Sequence, residues 1–158
     1  MNKGFTLIET MVALGLLVFV LTGMVSLIIL NITNARSIEK NLIAGNLAQE
    51  ALEVVRSMRD NDWLEGNDFG NFIPASGEEY SVQWNDTNLS RGLVAQPLDF
   101  DEATGIYSYD NGDPTIYTRK VLINKVTDKE ISVLVTVEWV LRSGPAQLQA
   151  ESHLFDWY

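Results

Sequence analysis

A glutamate at position 9 stands two residues ahead of the longest hydrophobic run in the chain. Residues 11–30 carry no charged side chain, and only Thr22 and Ser26 interrupt them with hydroxyls. An acidic side chain inside a membrane helix costs roughly 2.5 to 3.5 kcal/mol, so Glu9 needs a partner or a function, unless it snorkels to the interface. The other groups that could do chemistry are few. There is no Cys and one His, which removes thiolate nucleophiles, disulfides, Cys-rich zinc sites and most His-based ligand sets. Asp99, Asp101, Glu102, Asp110 and Asp113 lie within 15 residues of one another, and loop carboxylates at such density could bind calcium. They lack EF-hand spacing, and Asp110-Asn111-Gly112 is a hairpin-turn signature, so turns are the favoured reading and calcium the open alternative. His153 sits on the strand face opposite Leu148, Ala150 and Leu154, as a solvated histidine would. A convergent nucleophile and base is missing, so the chain reads as a non-enzyme, with no catalytic residue, metal or cofactor expected.

The whole chain narrows the choice further. Its 158 residues suit one compact domain plus an extended element. With 21 acidic against 11 basic residues the net charge is −10, and such a surface repels phosphate backbones, so nucleic acid is not an expected partner. At about 1.5 Å per residue, residues 11–30 span ~30 Å as a helix, the thickness of a bilayer's hydrocarbon core. Secretory signals have a shorter apolar core and end at small residues, whereas Asn31-Ile32-Thr33-Asn34 follows here. Hydropathy alone therefore implies a retained membrane anchor, with Lys3 on the cytoplasmic side.

The residues in front of the apolar run are more specific. Gly4-Phe5-Thr6-Leu7-Ile8-Glu9 resembles the processing site of type IV prepilins, pseudopilins and related competence proteins. The resemblance implies that a prepilin peptidase cleaves between Gly4 and Phe5 and methylates the new amine of Phe5. It further implies that Glu9 pairs with the cationic amine of a neighbouring subunit during filament assembly. Attraction between opposite charges strengthens in a low-dielectric helix bundle, which makes that pairing physically reasonable. The partners so implied are other pilin or pseudopilin subunits, the peptidase/methyltransferase, an inner-membrane assembly platform and membrane lipid. The implied location is the cytoplasmic membrane, as a single-pass protein with an extracytoplasmic head, and then a surface or periplasmic filament. Many major pilins carry a Pro in this helix; here Gly15, Gly23 and Ser26 are the only candidate weak points.

The elements that must carry this N-terminus follow from periodicity. Ile38, Leu42, Gly45, Ala48, Leu52 and Val55 recur at helical spacing, with Leu47, Ala51, Val54 and Met58 on an adjoining stripe. The pattern predicts a continuous helix over residues 5–59, its second half packed on a head domain. Asp60-Asn61-Asp62, followed by Gly66, Asn67 and Gly70, should end it. Tyr80-Ser81-Val82-Gln83-Trp84 alternates like a short strand. Ile131, Val133, Val135, Val137, Trp139 and Leu141 share one strand face, with Ser132, Thr136, Glu138 and Arg142 on the other. Strands over 116–126 and 146–155 complete an antiparallel meander whose apolar face should lie on the helix. Trp63, Trp84 and Trp157 read as packing residues. The expected organisation is a leader at 1–4, an apolar assembly helix at 5–30, its amphipathic continuation at 31–60, a variable loop region at 61–114 and the meander at 115–158. The fold class is α+β, pilin-like, with a long helix on a small antiparallel head. Val137-Glu138-Trp139 and the finish from Ser152 to Tyr158 also resemble minor pilins and I-type minor pseudopilins. The implied function is a structural minor subunit of a type IV pilus or related pseudopilus filament; the alternative is a filament-displayed binding, adhesion or DNA-uptake module.

Overall fold

The computed structural model describes residue 4, residues 6–90, residue 92, residues 96–141 and residues 144–156. Among the described residues one helix, α1 (Leu7–Leu64), precedes seven strands: β1 (Glu78–Tyr80), β2 (Asp99–Asp101), β3 (Ile106–Ser108), β4 (Asp113–Pro114), β5 (Thr118–Thr127), β6 (Glu130–Leu141) and β7 (Gly144–Phe155). This is the expected α+β class. The chain divides into two compact units, Met1–Lys40 and Asn41–Tyr158. In the first, every described apolar side chain is exposed. Helix formation there needs no tertiary packing of its own, because the run is rich in Leu and free of Pro, and in an apolar surrounding a helix satisfies its backbone groups within the segment. Its hydroxyls fold back onto the helix: Thr22 donates to Phe19 O at 2.8 Å, Ser26 to Thr22 O at 3.0 Å and Thr33 to Ile29 O at 2.9 Å. Polar groups satisfied in this way can enter hydrocarbon at little cost.

The second unit has a core. Ala44, Leu47, Ala48, Ala51, Val55 and Met58 are buried at helical spacing and belong to one core cluster with the strands. Ile38 and Leu42, expected to open this stripe, are 66% and 64% exposed, so the buried face begins at Ala44 instead. A four-stranded antiparallel sheet in the order β1-β5-β6-β7 supplies the other half of the core. β6 alternates as its sequence predicts, with Ile131, Val133, Val135, Val137 and Trp139 buried. Opposite them in register stand Leu154, Val121 and Leu148, and Ile123 faces Val133. Such cross-strand apolar pairs are what hold a sheet in one register. Leu141 is partly buried, while Arg142 lies outside the described residues. A second sheet, β3-β2-β4, is joined to the first by a chain of rings: Phe100 and Tyr107 at 4.7 Å, Tyr107 and Tyr117 at 6.4 Å, Tyr117 and Trp139 at 6.1 Å.

Four further expectations fail, each for a local reason. The helix does not stop at Asp60-Asn61-Asp62 but runs to Leu64. It is closed by Gly66 at φ 79°, whose N–H donates to Trp63 O at 3.0 Å while the Asn67 N–H reaches Asp62 O at 3.2 Å. Asp62 breaks nothing, because its carboxylate accepts from Asn67 Nδ2 at 2.8 Å and from the Phe72 N–H at 3.1 Å, docking the following loop. The strand expected over residues 80–84 ends at Tyr80. Ser81, Val82 and Gln83 are buried in succession and Trp84 is exposed, so burial here does not follow the expected alternation. Asp110-Asn111-Gly112 is no hairpin turn: β3 and β4 flank β2 on opposite sides, and the hairpin lies between β2 and β3. Gly112 is needed where it is, at φ 126°, since a Cβ there would stand 2.5 Å from the Phe100 carbonyl carbon. Finally, Trp84 is 52% exposed rather than packed. Trp63 is half-buried under the Arg59 guanidinium, 4.6 Å from its ring, and Trp157 lies outside the described residues.

Candidate functional site

The start of α1 is where the expected processing and assembly residues fall. Thr6 precedes the helix, and its carbonyl accepts from the Glu9 and Thr10 N–H groups at 3.1 and 3.2 Å. The Thr6 hydroxyl accepts from the Glu9 N–H at 3.4 Å. Thr6-Leu7-Ile8-Glu9 therefore has the Thr-x-x-Glu form of a capping box. Glu9 occupies the first turn, where the partial positive charge of the unpaired backbone N–H groups favours a carboxylate. It is exposed and makes no ion pair among the described residues. Gly4 is exposed, with open space where a Cβ would be; Phe5 and residues 1–3 lie outside the described residues. α1 runs unbroken through Gly15, Gly23 and Ser26, so the candidate weak points are helical, and neither glycine is held by contacts within the chain. The 18-residue window of highest hydropathy averages 2.7, enough for a membrane span.

The acidic loop carries local structure. The Asp101 carboxylate accepts from the Thr104 hydroxyl at 2.8 Å and the Ala103 N–H at 2.9 Å, which together hold it below the usual carboxylate range. Asp110 accepts from Gln83 Nε2 at 2.7 Å. Among the described residues no group of three or more His, Asp or Glu side chains is arranged to hold a metal. His153 is exposed, with Nδ1 2.8 Å from Glu130 and Nε2 3.3 Å from Glu151, so carboxylates engage both ring nitrogens. An open groove of about 610 Å³ at one end of the sheet, bordered by Ile116, Trp139 and Val140, holds one carboxylate, Glu138, which already pairs with Lys120 at 3.0 Å.

Arg119 escaped sequence reasoning. It lies on the inner face of β5, in line with Val121 and Ile123, and is fully buried. Its Nη1 donates to Leu47 O at 2.8 Å and Glu50 Oε1 at 2.9 Å, and its Nη2 donates to Val82 O. One side chain thus ties helix, sheet and the loop after β1. The signal was its position at an apolar register site of an alternating strand.

The first 25 residues match the prokaryotic N-terminal methylation motif. No curated protein and no solved structure matches the chain. The match supports a type IV prepilin-like, pilin-type protein with a membrane-capable N-terminal helix. The motif implies processing by a prepilin peptidase and assembly with other pilins, and proteins of this kind are structural rather than catalytic.

Proposed function

We propose that the chain is a minor subunit of a type IV pilus or a related pseudopilus filament. In this reading the peptidase cleaves between Gly4 and Phe5 and methylates Phe5. The protein then waits in the cytoplasmic membrane as a single-pass anchor with an extracytoplasmic head, and enters a filament through its apolar helix. The observation that carries the reading is the juxtaposition in one helix: a capped start bearing Glu9, then a run of large apolar residues each at least half exposed, then a face buried against a folded head. Exposed apolar surface of that extent requires lipid or other helices to cover it. Glu9 would meet the cationic amine of a neighbour, so that docking supplies an ion-pair partner that it lacks among the described residues.

Two measurements test this. Intact mass of the membrane-extracted protein should show loss of residues 1–4 and gain of one methyl group; retention of the leader beside an active peptidase overturns the cleavage assignment. Glu9→Ala should leave insertion and processing intact while cutting recovery in sheared filaments. Equal recovery of variant and wild type would remove the assembly role from Glu9.

A further inference from the structure

The loop after β1 holds an exposed indole on an anchored frame. Val82 and Gln83 are 1% and 2% exposed, while Trp84 beside them is 52% exposed. On one side the Val82 carbonyl is fixed by Arg119. On the other, Gln83 forms a reciprocal pair with Asp86, its N–H reaching the Asp86 carboxylate at 3.0 Å and its carbonyl accepting from the Asp86 N–H at 3.1 Å. The Gln83 side chain is also engaged at both ends: Nε2 donates to Asn85 Oδ1 at 2.8 Å and to Asp110 at 2.7 Å, and Oε1 accepts from the Tyr109 N–H at 2.9 Å. These bonds hold the backbone on either side of Trp84 and leave the ring outside. A large aromatic side chain carried on a preorganised turn loses little freedom when a partner covers it, which is how binding anchors are built.

The charge around it selects the partner. Residues 60–118 contain twelve carboxylates and a single basic residue, Arg91, whereas residues 118–156 contain five of each. Arg59, just outside this span, pairs with Asp60 at 2.6 Å, yet with a single basic residue of its own the segment that carries Trp84 remains acidic. A second copy presenting the same acidic segment would bring like charge and be repelled, as would nucleic acid. A neutral sugar could stack on the indole but would gain nothing from the field. A guanidinium or ammonium gains from both, through the face of the ring and through the surrounding charge.

We propose that the Trp84 turn is a docking point for a cationic segment of a different protein, an arginine- or lysine-bearing loop or strand whose charged group lies over the indole. This goes beyond filament membership and does not depend on it, since it concerns the head alone.

The test is calorimetric titration of the full-length chain in nonionic detergent with a capped peptide of alternating Arg and Gly. Controls are the same peptide with Glu for Arg and a neutral oligosaccharide. The Arg peptide should bind, more weakly as salt rises, and Trp84→Ala should weaken it about tenfold with the thermal midpoint unchanged. If Trp84→Ala lowers the midpoint, Trp84→Phe and Trp84→Leu decide: the aromatic variant should retain binding and the aliphatic one lose it. The proposal is overturned if the Arg peptide fails to bind, if Trp84→Ala or Trp84→Leu binds it as well as wild type, or if the Glu peptide or the sugar binds in its place. Because no step reads cleavage or assembly, failure here leaves the filament reading standing, and the reverse holds too.

Discussion

The apolar arm and the head use the same residue types to opposite ends. Between residues 7 and 32 the leucines, valines and isoleucines of the arm are all at least half exposed, whereas in the head Val121, Ile123, Ile131, Val133, Val135 and Val137 are at most 1% exposed. The arm makes its own hydrogen bonds and leaves its apolar surface for lipid or other helices. The head buries apolar surface internally and turns most polar groups outward; the Arg119 Nη groups and the Gln83 amide are buried with partners, whereas Arg119 Nε and Trp139 Nε1 have none among the described residues. A given side chain should therefore matter to head stability only in the head, and substitutions paired across the two units can test that division.

The largest effect is expected at Arg119. Arg119→Ala leaves the Leu47 and Val82 carbonyls without this donor and Glu50 without its cation, and should destabilise the head by ~3 to 5 kcal/mol. Arg36→Ala, at an exposed arm position, should change unfolding by less than about 0.5 kcal/mol. Denaturant curves of the full chain in detergent, followed by near-ultraviolet circular dichroism, measure both. Trp139→Ala should cost ~3 to 4 kcal/mol because the ring is 3% exposed and touches Tyr117, while Phe19→Ala, at 77% exposure, should be silent in the same assay. If Phe19→Ala destabilises the head or Trp139→Ala does not, the two units are not energetically separate.

How much of this was legible beforehand depends on how local each signal is. The β6 alternation was readable because an unbroken period of two places Ile131 through Trp139 on one face. The motif at the N-terminus was readable because it is contiguous. The helix end was misread because Asp and Asn favour turns on average, yet Asp62 is held by Asn67 and Phe72, whose positions no helical pattern contains. Arg119 and Gln83 were missed because pattern reading assigns charged and amide side chains to the surface, while their partners lie as far as 72 and 27 residues away in sequence. The buried hydrogen-bond network that frames the candidate docking turn is thus the part furthest from view in the sequence.

Glycines sharpen the comparison at smaller scale. Gly112→Ala forces a Cβ against the Phe100 backbone and holds Ala at φ 126°, so about 2 to 3 kcal/mol of head stability should be lost. Gly15→Ala and Gly23→Ala meet open space within a helix and should raise helix stability by up to ~1 kcal/mol. Should these arm variants nonetheless reduce recovery in filaments, the glycines serve close approach of a neighbouring helix, since nothing within the chain requires them.

The smallest expected effect is at Asp101, which asks whether a partly exposed group in the head can still contribute. Its carboxyl is held below the ordinary 3.8 chiefly by the Thr104 hydroxyl and next by the Ala103 N–H. A depressed folded-state value means that the unfolded chain binds the proton more tightly. Stability from this group is then fully present above about pH 4, and is lost as pH falls through the folded value. Solvent screening keeps the amount small. A carboxyl-carbon titration by NMR should place the Asp101 midpoint below 3.8 in wild type, and Thr104→Val should move it back toward 3.8. The stability difference between wild type and Thr104→Val should narrow on acidification, because protonated Asp101 no longer gains from the hydroxyl. A midpoint at or above 3.8 in wild type, or one that Thr104→Val leaves in place, would show that the turn exerts no hold on the carboxylate and that exposed polar groups of the head are as silent as those of the arm.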